Sequence, residues 1–138
     1  MLTGGCLCGG VRYEITQPLT TASYCHCTRC QRRSGTAASA NAEVPPGALR
    51  IVSGEELVKA WTPPGQGWDK CFCSACGGAL WSQSRDDPDK RGIRLGTLDH
   101  DDGQDPGVTF THRQFVAYAV PWEAIPDDGL ERYPEGRR

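Results

Sequence analysis

The stretch Cys25-His26-Cys27-Thr28-Arg29-Cys30 constrains this chain more than any other. In extended backbone, side chains two apart share one face, so the sulfurs of Cys25 and Cys27 point the same way. A tight turn across the C-x-x-C step then brings Cys30 back to them. Three converging thiols with no further cysteine close behind read as a metal site with one open position. His26 lies between two ligands and faces the other way, which favours packing or hydrogen bonding over ligation.

A second set of thiols reads as a staple. Cys73-Ser74-Ala75-Cys76-Gly77-Gly78 has the shape of a zinc knuckle, in which a turn aims backbone N–H groups at the sulfurs and glycine supplies positive φ. Cys6 and Cys8 place two more sulfurs on one face, between Gly4-Gly5 and Gly9-Gly10. Cys6, Cys8, Cys73 and Cys76 together would make a closed four-thiolate site. Spacing alone does not dictate this pairing: Cys6 and Cys8 could instead join part of the Cys25 array, leaving Cys73 and Cys76 to complete another set. Cys71, two before Cys73, fits either a fourth ligand or a small buried residue.

Rival uses of the thiols are weaker. Met1 to Gly5 shows no basic segment followed by an apolar run, so no secretory signal is read there. Closely spaced cysteines in a reducing compartment are metal ligands more often than disulfides, and the expected location is the cytoplasm. A thioredoxin-like redox pair needs C-x-x-C at a helix start in a βαβ unit, a setting the sequence suggests for neither cluster. No apolar stretch approaches the length of a membrane span.

The 138 residues are read as one domain, with its core over about 3–133. Only 38% are hydrophobic, with 17 Gly and 10 Pro, so the core is modest and cut into short strands. A structural zinc contributes about 10–16 kcal/mol of apparent binding free energy. That matches a whole domain's net stability of about 5–15 kcal/mol, so metal staples suffice to hold such a fold. Alternation and turn residues place strands at 11–15, 49–52, 57–61, 68–72, 79–81, 93–95 and 115–120, and the small-residue run 36–44 reads as another. The class is mainly β, in small antiparallel sheets, with a polar tail from Pro126 onward only loosely attached. A net charge of -2 gives no global pull toward nucleic acid, and no nucleic-acid partner is expected.

Three motifs in this order carry a family resemblance: Gly5-Cys6-x-Cys8-Gly9, Cys25-x-Cys27-x-x-Cys30 with Ser34-Gly35, and Phe72-Cys73-x-x-Cys76-Gly77 with Leu80. With Gly96-Thr97-Leu98-Asp99 and Pro121-Trp122 in support, the chain resembles the glutathione-dependent formaldehyde-activating (GFA) family over nearly its whole length. The resemblance implies two zinc ions: a closed site of Cys6, Cys8, Cys73 and Cys76, and a functional site of Cys25, Cys27 and Cys30. It also implies a carbon–sulfur lyase acting on a thiol–aldehyde adduct such as S-hydroxymethylglutathione, with glutathione as the thiol. Two stretches depart from the family pattern and are expected to line the pocket. They are Thr36-Ala37-Ala38-Ser39-Ala40, where relatives carry aromatic residues, and His112-Arg113-Gln114-Phe115 with Ala117-Tyr118-Ala119.

Three thiolates on a divalent zinc leave a net negative charge, which blunts its Lewis acidity and suits thiolate exchange better than hydroxide formation. Arg32 and Arg33 are the nearest cations after the array and are assigned to dock glutathione's carboxylates. His100 and His112 read as surface histidines and Asp99 as a turn residue; no acid/base pair emerges. Two non-enzymatic readings stand beside the lyase: a zinc module binding a protein partner, since the resemblance extends to a centromere-associated protein, and a thiol or zinc sensor.

Overall fold

The computed structural model describes residues 1–137. Two sheets carry the chain. The smaller is antiparallel, with strands β1 (Leu2–Gly5), β2 (Arg12–Ile15) and β5 (Leu49–Ser53), and β2 lies in the middle. The larger has eight strands in the order β11-β10-β3-β4-β9-β8-β7-β6. These are β3 (Thr21–Cys25), β4 (Ser39–Val44), β6 (Val58–Trp61), β7 (Trp68–Cys73), β8 (Ala79–Ser84), β9 (Arg91–Arg94), β10 (Thr109–Gln114) and β11 (Glu131–Tyr133). The expected mainly-β class is found. The larger sheet is not purely antiparallel, because β10 pairs parallel with both β3 and β11.

Alternation decides which face of each strand enters the core. In the large sheet Ala22, Ala42, Ile93 and Trp81 are cross-strand neighbours or next neighbours on one face, and all are buried. In the small sheet Tyr13 pairs with Ile51 and Ile15 with Leu49. The two apolar faces meet where Tyr13 and Trp81 pack edge to face, centroids 5.8 Å apart. The Tyr13 hydroxyl is satisfied by Thr97 Oγ1 at 2.6 Å, so the ring stays buried without a lost hydrogen bond. Gly4 leaves room for this ring: a Cβ there would lie 2.6 Å from it and from the Thr97 carbonyl.

Three expectations need correcting. The C-x-x-C step expected to be a tight turn opens the one α-helix among the described residues, α1 (Thr28–Ser34); no residue of it is buried, so it offers no apolar periodicity. The strand expected over 115–120 lies earlier, over Thr109–Gln114, and Phe115 ends it by entering the left-handed region at φ 57°. The tail from Pro126 is tied in rather than loose. Its β11 extends the sheet, the Asp128 carboxylate pairs with the buried Arg113 guanidinium at 2.8 Å, and the Phe115 N–H donates to the Glu135 carbonyl.

Two glycines separate backbone strain from steric conflict. Both Gly47 and Gly54 sit at positive φ, 75° and 80°, but only at Gly54 would a Cβ strike backbone, 1.9 Å from the Gly10 carbonyl oxygen. Gly47→Ala is expected to cost about 1–2 kcal/mol, the left-handed penalty alone. Gly54→Ala adds an overpacking cost of about 1–3 kcal/mol. Denaturant unfolding of both variants measures the gap; equal losses would mean that the 53–54 turn shifts freely.

Candidate functional site

Four sulfurs gather at one end of the molecule. The Sγ atoms of Cys6, Cys8, Cys73 and Cys76 lie within 4.8 Å of one another. Cys6 and Cys8 sulfurs are 3.6 Å apart, and those of Cys8 and Cys73 are 3.9 Å apart. Thiolates 2.3 Å from a tetrahedral zinc lie about 3.8 Å from each other, so the dimensions fit that ion. The turns supply the N–H groups such sulfurs need: Val11 N donates to Cys6 Sγ at 3.2 Å and Gly10 N to Cys8 Sγ at 3.4 Å. Backbone N–H groups of Gly78 and Cys8 lower the Cys76 thiol to about 6, favouring its ligating form. The cluster that spacing left open is therefore brought together as one set. Cys71 belongs to neither set and lies buried in the core.

The second cluster holds Cys25, Cys27 and Cys30, again with all sulfurs within 4.8 Å of one another. Cys25 ends β3, and Cys27 is the N-cap of α1, with its Sγ accepting from the Cys30 N–H at 3.3 Å. Here C-x-x-C does open a helix, contrary to the sequence reading, but between antiparallel β3 and β4 rather than in a βαβ unit. Gln31 locks this start in place: its side-chain N–H group donates to the carbonyls of His26 and Tyr118, at 2.8 and 2.9 Å. His26 faces away, buried, with Nε2 accepting from Arg113 at 3.2 Å. Burial and then the Arg113 charge lower its pKa, so it stays neutral. Within the cluster the Cys27 thiol drops to about 2, chiefly because the Cys25 and Cys30 thiols bond to it, while Cys25 is driven up by the same partners. With three sulfurs this close to one another, the set could hold a metal ion.

Cys25 and Cys27 are buried, whereas Cys30 is half-buried and lines a cavity of about 440 Å³. Arg33, Arg94, Ser39 and the small side chains of Ala38 and Ala40 line it too, as do Gly77 and Gly78 beside the four-sulfur cluster. Of the run Thr36–Ala40 expected there, Thr36, Ala38, Ser39 and Ala40 border the cavity, while Ala37 is buried. His112 to Phe115 do not: His112 is buried elsewhere, with Nδ1 2.8 Å from Thr111 Oγ1 and its ring against Tyr133. His100 is exposed, and Asp99 is structural, paired with Arg12 and accepting from Thr3 Oγ1. Arg32 is exposed and lies outside the cavity wall, so of the two arginines assigned from sequence only Arg33 reaches it.

Two cations that sequence reasoning missed stand beside Arg33. Lys70 and Arg94 share the polar face of the large sheet with Cys25, because Cys25 pairs with Ser39, Asn41 with Arg94, and Lys70 with Ser82. Lys70 Nζ and Arg94 Nη2 both donate to Ser82 Oγ, at 3.2 and 3.1 Å. Like charges roughly 6 Å apart at an effective dielectric near 20 repel by about 3 kcal/mol. Burial, and then the neighbouring Arg94, lowers the pKa of Lys70 and of Arg33. For Arg94 burial also leads, opposed by the charges of Cys30, Cys25 and Cys27. Strand alternation was the available signal: Ile93 and Cys71 enter the core, so Arg94 and Lys70 must face the other way.

A family model and a curated relative name the same family. Residues 1–114 match the model of the family described as "Glutathione-dependent formaldehyde-activating enzyme". The chain belongs to that family. A relative from Halomonas elongata, named "Putative glutathione-dependent formaldehyde-activating enzyme", is 29% identical over 89 residues. That match covers 59% of this chain and 55% of the relative, so the chain spans about half of that protein's length. A crystal structure of a Rhodobacter sphaeroides protein superposes with a TM-score of 0.59 at 28% identity, covering 79% of this chain and 99% of the other. In this family member no described helix is long and apolar enough to cross a membrane.

The two clusters differ in what they brace, which gives a test. Cys73→Ala is expected to remove one metal and several kcal/mol of stability, because its sulfur is fully buried between the two sheets. Cys30→Ser is expected to weaken the other metal while the fold persists. Cys71→Ala keeps both metals and costs about 1 kcal/mol. Metal content by mass spectrometry together with thermal unfolding reads all three; metal loss in Cys71→Ala would overturn the assignment of the sets.

Proposed function

We propose that this protein is a zinc-dependent carbon–sulfur lyase acting on the adduct of a thiol with a small aldehyde, S-hydroxymethylglutathione being the type substrate. The observation that carries the reading is the contrast between the clusters: one is closed by four sulfurs, while the other has three and opens through Cys30 onto a cavity. Family membership supplies glutathione and formaldehyde as the substrate class. On this reading Cys6, Cys8, Cys73 and Cys76 hold a structural zinc, and Cys25, Cys27 and Cys30 hold the functional one, two per chain. Zinc on three thiolates would keep a substrate thiol deprotonated near neutral pH.

The chain's own residues do the rest. Cys30 at the wall sets the side from which the thiol enters, and Gln31 fixes the helix start that presents it. Arg33 docks substrate carboxylate, as the sequence reading assigned; Arg32, exposed, is left to attract anions toward the mouth. In the forward direction a sulfur lone pair forms the C–S bond, the carbonyl π pair moves to oxygen, and that oxygen takes a proton; the reverse step returns thiol and aldehyde. Among the described residues no carboxylate or imidazole lines the cavity, so the proton is exchanged with solvent. Eight free cysteines suit the reducing cytoplasm, where we place the protein.

Native mass spectrometry with and without glutathione tests this. The expected result is two zincs per chain, one of which carries a glutathione adduct or is lost on titration, with C–S cleavage abolished in Cys30→Ser. Two zincs indifferent to glutathione would move the substrate elsewhere, and a single tightly held zinc would sink the enzyme reading.

A further inference from the structure

Two cations on the large sheet's polar face, Lys70 and Arg94, and one on α1, Arg33, stand beside the three-sulfur cluster with no carboxylate paired to them. The ion pairs among the described residues are Arg12–Asp99, Arg50–Glu14, Arg85–Asp69 and Arg113–Asp128; Arg33, Lys70 and Arg94 take part in none of them. Their hydrogen bonds go to neutral oxygens instead: Arg33 Nη2 to the Cys71 carbonyl at 2.8 Å, Arg94 to Asn41 Oδ1 and Ser82 Oγ, Lys70 to Ser82 Oγ. Arg33 Nε is buried with no partner at all. A buried guanidinium donor without an acceptor is costly, and two cations converging on one hydroxyl add repulsion to that cost.

The thiolates offset only part of this charge. Three thiolates and a divalent ion leave one negative charge, and a fourth thiolate from substrate leaves two. Against three cations, one positive charge remains. We infer that Arg33 and Arg94 form an anion subsite in the cavity wall, held in place by Lys70 through Ser82, and that it receives one carboxylate of the thiol substrate. Arg33 and Arg94 line the cavity together with Cys30, so thiol and carboxylate reach the site from one space. Lys70 is a positioning residue: it does not line the cavity, and it acts by fixing Ser82 and the field around Arg94. The inference rests on the proposed thiol exchange for the identity of the ligand, but not for the existence of the subsite.

Calorimetry on the zinc-loaded protein with three probes separates the two. Glutathione keeps thiol and carboxylates, its diethyl ester keeps only the thiol, and S-methylglutathione keeps only the carboxylates. Glutathione is expected to bind at least about ten-fold more tightly than the diethyl ester. Arg94→Gln should bring that ratio near one without changing the ester's affinity, Lys70→Gln should reduce it several-fold, and Arg94→Lys should keep most of it. Equal binding of glutathione and ester by the parent protein overturns the subsite, and needs no variant to fold. So does a ratio unmoved in both Gln variants, once circular dichroism shows them folded. If the thiol reading alone is wrong, S-methylglutathione binds as tightly as glutathione and loses affinity in Arg94→Gln, which supports the subsite. Failure of all three probes to bind overturns it.

Discussion

Four sulfurs drawn from two turns 65 residues apart in sequence set the geometry on which everything else depends. A metal held by them would be a cross-link of that span, and would remove a large loop-closure entropy from the unfolded chain. It would also fix the β1–β2 hairpin against the β7–β8 turn, and so fix the small sheet over the core face of the large one. Gly77 and Gly78 belong both to the knuckle and to the cavity wall. The four-sulfur cluster and the cavity beside the three-sulfur one are therefore parts of one construction, so a disturbance of the first would spread into the second.

The chemistry-bearing parts of this fold were the most legible in sequence. C-x-C puts two sulfurs on one face whatever surrounds it, and a knuckle turn is local, so both clusters could be proposed from spacing. Their pairing was not legible, because sulfurs distant in sequence meet only through the sheet topology. The helix α1 was hidden for a different reason. It buries nothing, and its N-cap is the thiol of Cys27 rather than Ser, Thr, Asn or Asp. β11 was hidden because Glu131-Arg132-Tyr133 is polar and pairs parallel, a non-local contact that composition does not announce. Phe115 misled by composition: its aromatic ring favours a strand, while its backbone ends one.

The large sheet divides its work by face. Ala22, Ala42, Ile93 and Trp81 make one side a core, while Cys25, Ser39, Asn41, Arg94, Ser82 and Lys70 make the other a polar face. Small residues on β4 serve both ends. They let the sheets approach on the core side, and opposite they leave the space that α1 does not fill. Where a bulkier side chain would narrow the cavity, Ala38 and Ala40 keep it open.

A surface of this kind works against stability. Cations half-buried without carboxylate partners destabilise a fold that has only a modest core to offset them. Replacing Arg94 or Lys70 by an apolar residue of similar size is the sort of change that raises stability at the expense of function. Salt bridges elsewhere in the molecule show that the chain readily pairs its arginines with aspartate or glutamate when structure alone is at stake. Beside the three sulfurs it does not, and the reason lies in the electrostatics of the site. An internal carboxylate would quench the positive charge that the thiolates and an incoming anion need. On the proposed reading the missing counter-ion comes in two parts, a fixed one from the cysteines and a removable one from the substrate.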